Sequence, residues 1–361
     1  MKRVLISGGG TGGHIFPALA IADAIKKIDP LCEILFVGAE GKMEMEKVPS
    51  AGYKILGLPV RGFQRKFTLQ NVTVLFNLVR SLFISWKIIS EFRPDAILGV
   101  GGYASGPIMR VGAWRKIPVF IQEQNSYPGI TNKLMASNAK KIFVAYEGMS
   151  KFFDPEKISN LGNPVRKDLS AKISRNDASA HFQLDPNKKT IGVFGGSLGA
   201  RALNELVTMI QDQILKDESV QVIWQIGKIY ESQYTNHKLQ TCNRVKINSF
   251  ITRMDLAYAA CDLIVCRAGA LTLSELAVTE VPAILIPSPN VAEDHQRKNA
   301  EALVKEGAAK MILEKELTAN VWNIISDLLS NQTEVEKMKS NLRRISKPNA
   351  AEEIAFFLVN S

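Results

Sequence analysis

Apolar residues occur in short unbroken runs, each followed by a glycine-rich loop and then by a stretch with helical spacing. The first run is VLIS at 4–7. Gly8, Gly9, Gly10, Thr11, Gly12, Gly13 and His14 follow it, and an Ala/Ile-rich helix is predicted from Pro17 to Lys27. Further strands are predicted over 33–38 (EILFVG), 95–102 (DAILGVGG) and 117–125 (IPVFIQEQN), with room for helices between them. Runs without polar alternation belong to strands covered on both faces, so the pattern predicts a parallel sheet of α/β class.

The plan restarts at residue 190. TIGVFGGSLGARALNELV is again strand, glycine loop and helix, and CDLIVCRAGALTLSEL at 261–276 echoes PDAILGVGGYASGPI at 94–108. A chain of 361 residues suits two such domains, which we expect at 1–163 and 164–340, joined through NLGNPVR at 160–166. A charged helical tail runs from Val335 to Ser361.

Composition narrows the class. Of the residues, 46% are apolar and 22% charged, as in an ordinary globular protein, so disordered and fibrous architectures are excluded. The longest run free of Asp, Glu, Lys and Arg, Val4 to Ala22, is nineteen residues long but broken by five glycines, and Ala96 to Met109 is fourteen and likewise broken. Neither supplies the roughly 20 consecutive apolar residues that a spanning helix needs. MKRVLISGGG lacks the apolar core of a signal peptide, which points to the cytoplasm. Cys32, Cys242, Cys261 and Cys266 are scattered in neither a zinc nor a disulfide pattern. Net charge is uneven: residues 1–163 hold 21 Lys+Arg against 12 Asp+Glu, and the remainder 24 against 23. The basic half calls for a polyanionic partner.

Gly8, Gly10 and Gly13 satisfy G-x-G-x-x-G, so an NAD-dependent oxidoreductase is one reading; Glu40, the one ribose-binding acid on offer, lies late. His14 stands at a loop-helix junction at the ligand end of the sheet, where it is either a general base or a local helix cap. The loop Gly195 to Arg201 places N–H groups and the Ser197 hydroxyl at a helix start, as a pyrophosphate requires or as a tight turn allows. Glu275, just inside the helix after Arg267, is either a ribose acceptor or a solvated acid. Asp294, His295, Gln296 and Asn299 form a polar cluster suited to sugar hydroxyls, or an ordinary helix start. Residues 67–90 read as a helix that is apolar nearly all round, with Leu69, Val72, Phe76, Val79, Phe83 and Trp86 in one stripe and Leu75, Leu78 and Leu82 elsewhere. With Arg61, Arg65, Lys66 and the Trp114, Arg115, Lys116 cluster, it suits an anionic membrane surface or a buried core; no nucleic-acid motif accompanies it.

Taken together, GGGTGGHIFPALAIA, GGYASGP, EQN-x-x-PG, GNPVR, GGSLGARALN, RAGALTLSEL and EDHQRKNA stand in the order and spacing of the MurG family, which the chain resembles over essentially its whole length. The resemblance implies a GT-B fold, two Rossmann-like domains with parallel sheets facing across a cleft, the last helix (about 340–361) returning to the N-terminal one. It implies an inverting transferase that moves GlcNAc from UDP-GlcNAc to the MurNAc C4 hydroxyl of lipid I, with no metal or other cofactor; the chain has no Asp-x-Asp motif. The N-terminal domain would bind acceptor and membrane, the C-terminal domain UDP-GlcNAc. Carried over by motif, Arg166 and Ser197 hold the diphosphate or uridine side, Ile251 contacts uracil, Ala270, Leu271, Thr272 and Ser274 line the donor loop, and Glu275 holds the ribose. His295, Gln296 and Asn125 face GlcNAc, and Thr11, Gly12 and Gly13 close over the donor. His14 is the first choice of base and Glu123 the second. Tyr103 and Ser105 lie toward the acceptor, and Phe76, Val79, Phe83, Trp86 and Trp114 toward the cytoplasmic face of the inner membrane. Other cell-wall or division proteins are expected partners, and nucleic acid is not. Gln122 and His295 depart from the family's His and Gln. The rivals are a transferase of another nucleotide sugar and a non-catalytic membrane scaffold.

Overall fold

The computed structural model describes residues 2–60, 70–170, 173–196 and 198–360. It divides into two compact units, residues 1–166 with 347–361, and residues 167–346.

In the first unit β1 (Arg3–Ser7), β2 (Glu33–Ala39), β3 (Lys54–Leu58), β4 (Ala96–Gly99), β5 (Val119–Glu123), β6 (Lys141–Val144) and β7 (Ile158–Asn160) form one parallel sheet, ordered β3-β2-β1-β4-β5-β6-β7. Alternation of side chains explains the unbroken apolar runs. Val4 and Ile6 of β1 enter one core with the Gly12–Ile28 helix, while Leu5 enters another with the Gln70–Phe92 and Ser105–Trp114 helices. The tail that reads as a single charged helix is two helices, Gln332–Ile345 and Ala350–Val359, interrupted around Pro348, which lacks the N–H a helix interior needs. The second covers the first unit: Ile354, Ala355 and Leu358 are buried with Ile21 and Ile25. Burial of each large aliphatic side chain there contributes about 1.5–3 kcal/mol.

The second unit repeats the plan with β8 (Lys189–Phe194), β9 (Val220–Gln225), β10 (Val245–Asn248), β11 (Leu263–Cys266), β12 (Ala283–Leu285) and β13 (Lys310–Met311), ordered β10-β9-β8-β11-β12-β13 and parallel. In each sheet strand order reverses beside the first strand, between β1 and β4 and between β8 and β11. The loops leaving those strand ends diverge, which is where open α/β sheets take their ligands.

Candidate active site

The loop after β1 brings His14 to the reversal point of the first sheet. Thr11, in extended conformation, starts the Gly12–Ile28 helix, and His14 lies in its first turn, half-buried. Its Nδ1 is 3.0 Å from the Gly9 carbonyl oxygen and 3.2 Å from Thr11 Oγ1. A carbonyl only accepts, so Nδ1 carries the hydrogen, and the neutral ring then has its lone pair on Nε2. That nitrogen faces the loop after β4: a Cβ added to Gly101 would sit 2.8 Å from it. Tyr103 is exposed next to this loop, whereas Ser105 is buried and its hydroxyl donates to the Gly102 carbonyl at 2.9 Å.

The same loop argues against dinucleotide binding. Gly10 N–H, a donor that a G-x-G-x-x-G loop would turn toward a pyrophosphate, instead donates to Oε2 of the buried Glu44 at 2.9 Å.

A buried polar network ties the ends of β4 and β5 to the segment that leaves the unit. Gln124 Nε2 donates to the Val100 carbonyl, Gln122 Nε2 to Asn163 Oδ1 and Asn163 Nδ2 back to the Gln124 carbonyl, at 2.8, 3.0 and 3.0 Å. Glu123, 1% exposed, accepts from Asn125 N (2.9 Å), Asn125 Nδ2 (3.2 Å), Gly129 N (3.0 Å) and Asn132 Nδ2 (2.8 Å). Its carboxylate is therefore engaged in holding the 125–132 loop. Asn125 is half-buried at the head of that loop, and Arg166 half-buried where the unit ends.

In the second unit the loop after β8 approaches the loop after β9 so closely that a Cβ on Gly199 would lie 2.1 Å from the Ile226 carbonyl oxygen. Asn204, buried in the Arg201–Met209 helix, fixes the contact: Nδ2 donates to the Ile226 carbonyl and Oδ1 accepts from Trp224 Nε1, both at 3.0 Å. Ser197 lies outside the described residues. After β11, Gly269 caps the Ala270–Thr279 helix without a side chain, and its first turn, Ala270, Leu271 and Thr272, holds no acid to oppose an incoming anion. Ser274 Oγ donates to the Ala270 carbonyl at 3.2 Å. Glu275 is 8% exposed and accepts from the buried Tyr258 hydroxyl at 2.9 Å, so it is no solvated surface acid. Burial, aided by Glu275, pushes the Cys266 thiol up to about 12 and leaves it inert.

Ile251 is buried, beside the exposed Phe250, over whose ring Lys228 Nζ lies 5.9 Å from the centroid. The polar cluster is more committed internally than its composition suggests. Gln296 Oε1 accepts from Ser288 N at 2.9 Å, Asp294 pairs with Arg297 at 2.9 Å and Asn299 is fully buried. His295, half-buried, opens the helix His295–Lys305, preceded by Glu293 and Asp294 with φ of 58° and 52°, a strained left-handed pair.

Of the apolar stripe, Phe76 (68% exposed), Val79, Phe83 (74%) and Trp86 form the outer face of the Gln70–Phe92 helix, and Ile88 and Ile89 its buried face. Trp114 is also exposed, and the Arg115 guanidinium lies 5.2 Å from the Trp86 ring centroid. Arg61, Arg65, Lys66 and Leu69 lie outside the described residues, as do the side chains of Val72 and Leu75. Among the described residues no helix is long and apolar enough to cross a membrane. Glu44, Tyr258, Asn204 and Asn132 went unseen in the sequence, each being a polar residue inside an otherwise helical stretch, with nothing nearby in the chain to mark its burial.

Both sheets match glycosyltransferase domains: residues 4–144 fit the glycosyltransferase family 28 N-terminal domain and residues 190–354 its C-terminal domain. The UDP-N-acetylglucosamine--N-acetylmuramyl-(pentapeptide) pyrophosphoryl-undecaprenol N-acetylglucosamine transferase of Flavobacterium psychrophilum is 49% identical over 353 residues, covering 98% of this chain and 95% of its own. The transferase of the same name from Parabacteroides distasonis is 50% identical, covering 98% and 96%. The crystal structure of Acinetobacter baumannii MurG superposes with a TM-score of 0.79 at 29% identity, covering both chains completely. The chain belongs to glycosyltransferase family 28 and, within it, to the MurG family. A UDP-GlcNAc 2-epimerase from Neisseria meningitidis, solved bound to UDP-GlcNAc, shares the fold alone, with a TM-score of 0.70 at 17% identity.

Proposed function

We propose that this protein transfers GlcNAc from UDP-GlcNAc to the C4 hydroxyl of MurNAc in lipid I, with inversion at the anomeric carbon, giving lipid II and UDP. The observation that carries this is the near-full-length identity of about half to transferases of that name.

The chemistry follows from the residues. His14 Nε2 takes the proton of the C4 hydroxyl as its oxygen bonds to the anomeric carbon and the bond from that carbon to the β-phosphate oxygen breaks. Negative charge grows on the departing UDP. The N-terminal end of the Ala270–Thr279 helix, the 195–201 loop with Ser197, and Arg166 meet that charge. Glu275, held by Tyr258, accepts the ribose hydroxyls, Ile251 contacts uracil, and His295, Gln296 and Asn125 contact GlcNAc. Thr11, Gly12 and Gly13 are assigned to donor binding by their motif. Glu123 supports the reaction by holding Asn125 and the 125–132 loop, leaving His14 as the base. Tyr103 and the Ser105 segment face the acceptor sugar.

The first unit also binds the membrane. Exposed aromatic residues on the Gln70–Phe92 helix and at Trp114, in the basic half of the chain, suit an anionic bilayer carrying the lipid acceptor, at the cytoplasmic face of the inner membrane. His14→Ala should lower turnover by about 100-fold or more with donor binding retained; turnover near that of the unmodified enzyme would remove His14 from the role of base.

A further inference from the structure

We infer that Glu44 is a positioning residue for the reaction and that it acts on His14 through one peptide group; the inference rests on the reading of His14 as the base. Gly9 C=O and Gly10 N–H belong to the same planar peptide and point in opposite directions. Glu44 Oε2 accepts from that N–H at 2.9 Å, and the carbonyl lies 3.0 Å from His14 Nδ1. The order is carboxylate, peptide, imidazole. Hydrogen bonds in series polarise one another, so a negative charge at the N–H end makes the carbonyl oxygen a stronger acceptor. That fixes the Nδ1–H tautomer, keeps the lone pair on Nε2 and stabilises the imidazolium formed when Nε2 takes a proton. The arrangement does through a peptide what a carboxylate touching a histidine does directly.

The carboxylate is built into the loop. Glu44 is 1% exposed, on the Glu44–Ser50 helix that follows β2, and its Oε1 accepts from Ala39 N at 3.0 Å. A Cβ on Gly9 would lie 2.1 Å from Oε1, and one on Gly38 would lie 2.5 Å from the Glu44 Cγ. Both glycines clear space for this side chain, and Gly9, at φ of 150°, also turns its carbonyl to the histidine. Thr11 Oγ1 is a second, uncharged partner of Nδ1 at 3.2 Å. The other carboxylate in the network, Glu123, lies on the Nε2 side of the ring: it accepts from Asn132 Nδ2 at 2.8 Å, and a Cβ on Gly101 would lie 3.8 Å from that nitrogen.

The test is histidine 15N NMR on the full-length protein, with the His14 signal assigned by its loss in His14→Gln, together with kcat against pH. In the unmodified protein neutral His14 should be the Nδ1–H form. In Glu44→Gln the midpoint of the His14 titration should fall by about one pH unit. The acid limb of kcat should move with it, and KM for both substrates should stay within about twofold. Glu44→Asp, which keeps the charge but withdraws it, should shift the midpoint the same way by less. If Glu44→Gln fails to melt cooperatively, the aspartate variant and the tautomer of the unmodified protein carry the comparison. An Nε2–H tautomer, or an unchanged midpoint in a folded variant, would overturn the inference. A midpoint that moves while the kcat profile does not would uphold the Glu44 relay and reject His14 as base.

Discussion

The hydroxyl of Tyr258 donates to Glu275 across the interior of the second unit, a 2.9 Å bond between two buried side chains. It connects the Met254–Ala260 helix to the Ala270–Thr279 helix and fixes the carboxylate to which the ribose is assigned. A hydrogen bond to a charged group contributes about 1.5–3 kcal/mol. Tyr258→Phe should therefore raise KM for UDP-GlcNAc by about tenfold while kcat stays within about twofold. An unchanged donor KM in initial-rate kinetics would separate Glu275 from donor binding.

Asn204 is predicted to matter for the donor loop without touching the donor. Asn204→Ala leaves the buried Trp224 N–H and the Ile226 carbonyl without their partner, at a cost of about 1–3 kcal/mol per group. The Gly199–Ile226 contact should loosen with it. We expect a lower melting temperature and weaker UDP binding by calorimetry. Weaker stability with unchanged UDP affinity would confine Asn204 to the core.

The sequence conveys the sheets well because they obey one simple rule. Strands buried on both faces need continuous apolar runs, and those at 4–7, 33–38 and 117–125 lie on β1, β2 and β5. The run at 95–102 exceeds β4, which ends at Gly99, since Gly101 and Gly102 adopt left-handed φ and turn the chain into the next helix. Short edge strands such as β7 and β13 carry too few residues to show a pattern. Within the site, His14 and Glu275 stand out by their place after glycine loops. Glu44 does not: in KMEMEK it looks like any solvated acid, and only the return of the chain from β2 buries it against Gly9 and Gly10. Glu123 stands out by its motif, but its occupation by four donors is a property of three dimensions.

Removing apolar surface from the outer face of the Gln70–Phe92 helix should weaken membrane binding without unfolding the protein, since Phe83 and Trp86 are exposed. In Phe83→Ser/Trp86→Ser, affinity for anionic vesicles in a sedimentation assay should fall by about tenfold or more. It should fall further as salt rises. Equal binding by variant and unmodified protein would place the membrane contact elsewhere.

His237 should make the second unit sensitive to acid. Its Nδ1 accepts from Leu239 N–H at 3.3 Å and its Nε2 lies 3.2 Å from Thr208 Oγ1, a neutral ring packed edge-on against Trp224. Burial holds its pKa below the usual histidine value. A depressed histidine stabilises the fold fully above its unfolded value of about 6.5, and that contribution is lost as pH falls from there toward the folded value. In urea titrations between pH 7.5 and 5.5, the stability advantage of the unmodified protein over His237→Gln should shrink. A constant difference across that range would show that His237 does not titrate on unfolding.

The most direct test of the proposed activity is release of UDP from UDP-GlcNAc by the purified protein, measured with and without a water-soluble lipid I analogue. Release that depends on the acceptor, with GlcNAc recovered in β-1,4 linkage on MurNAc, is the predicted result. No release with the acceptor, in detergent or on vesicles, would contradict it.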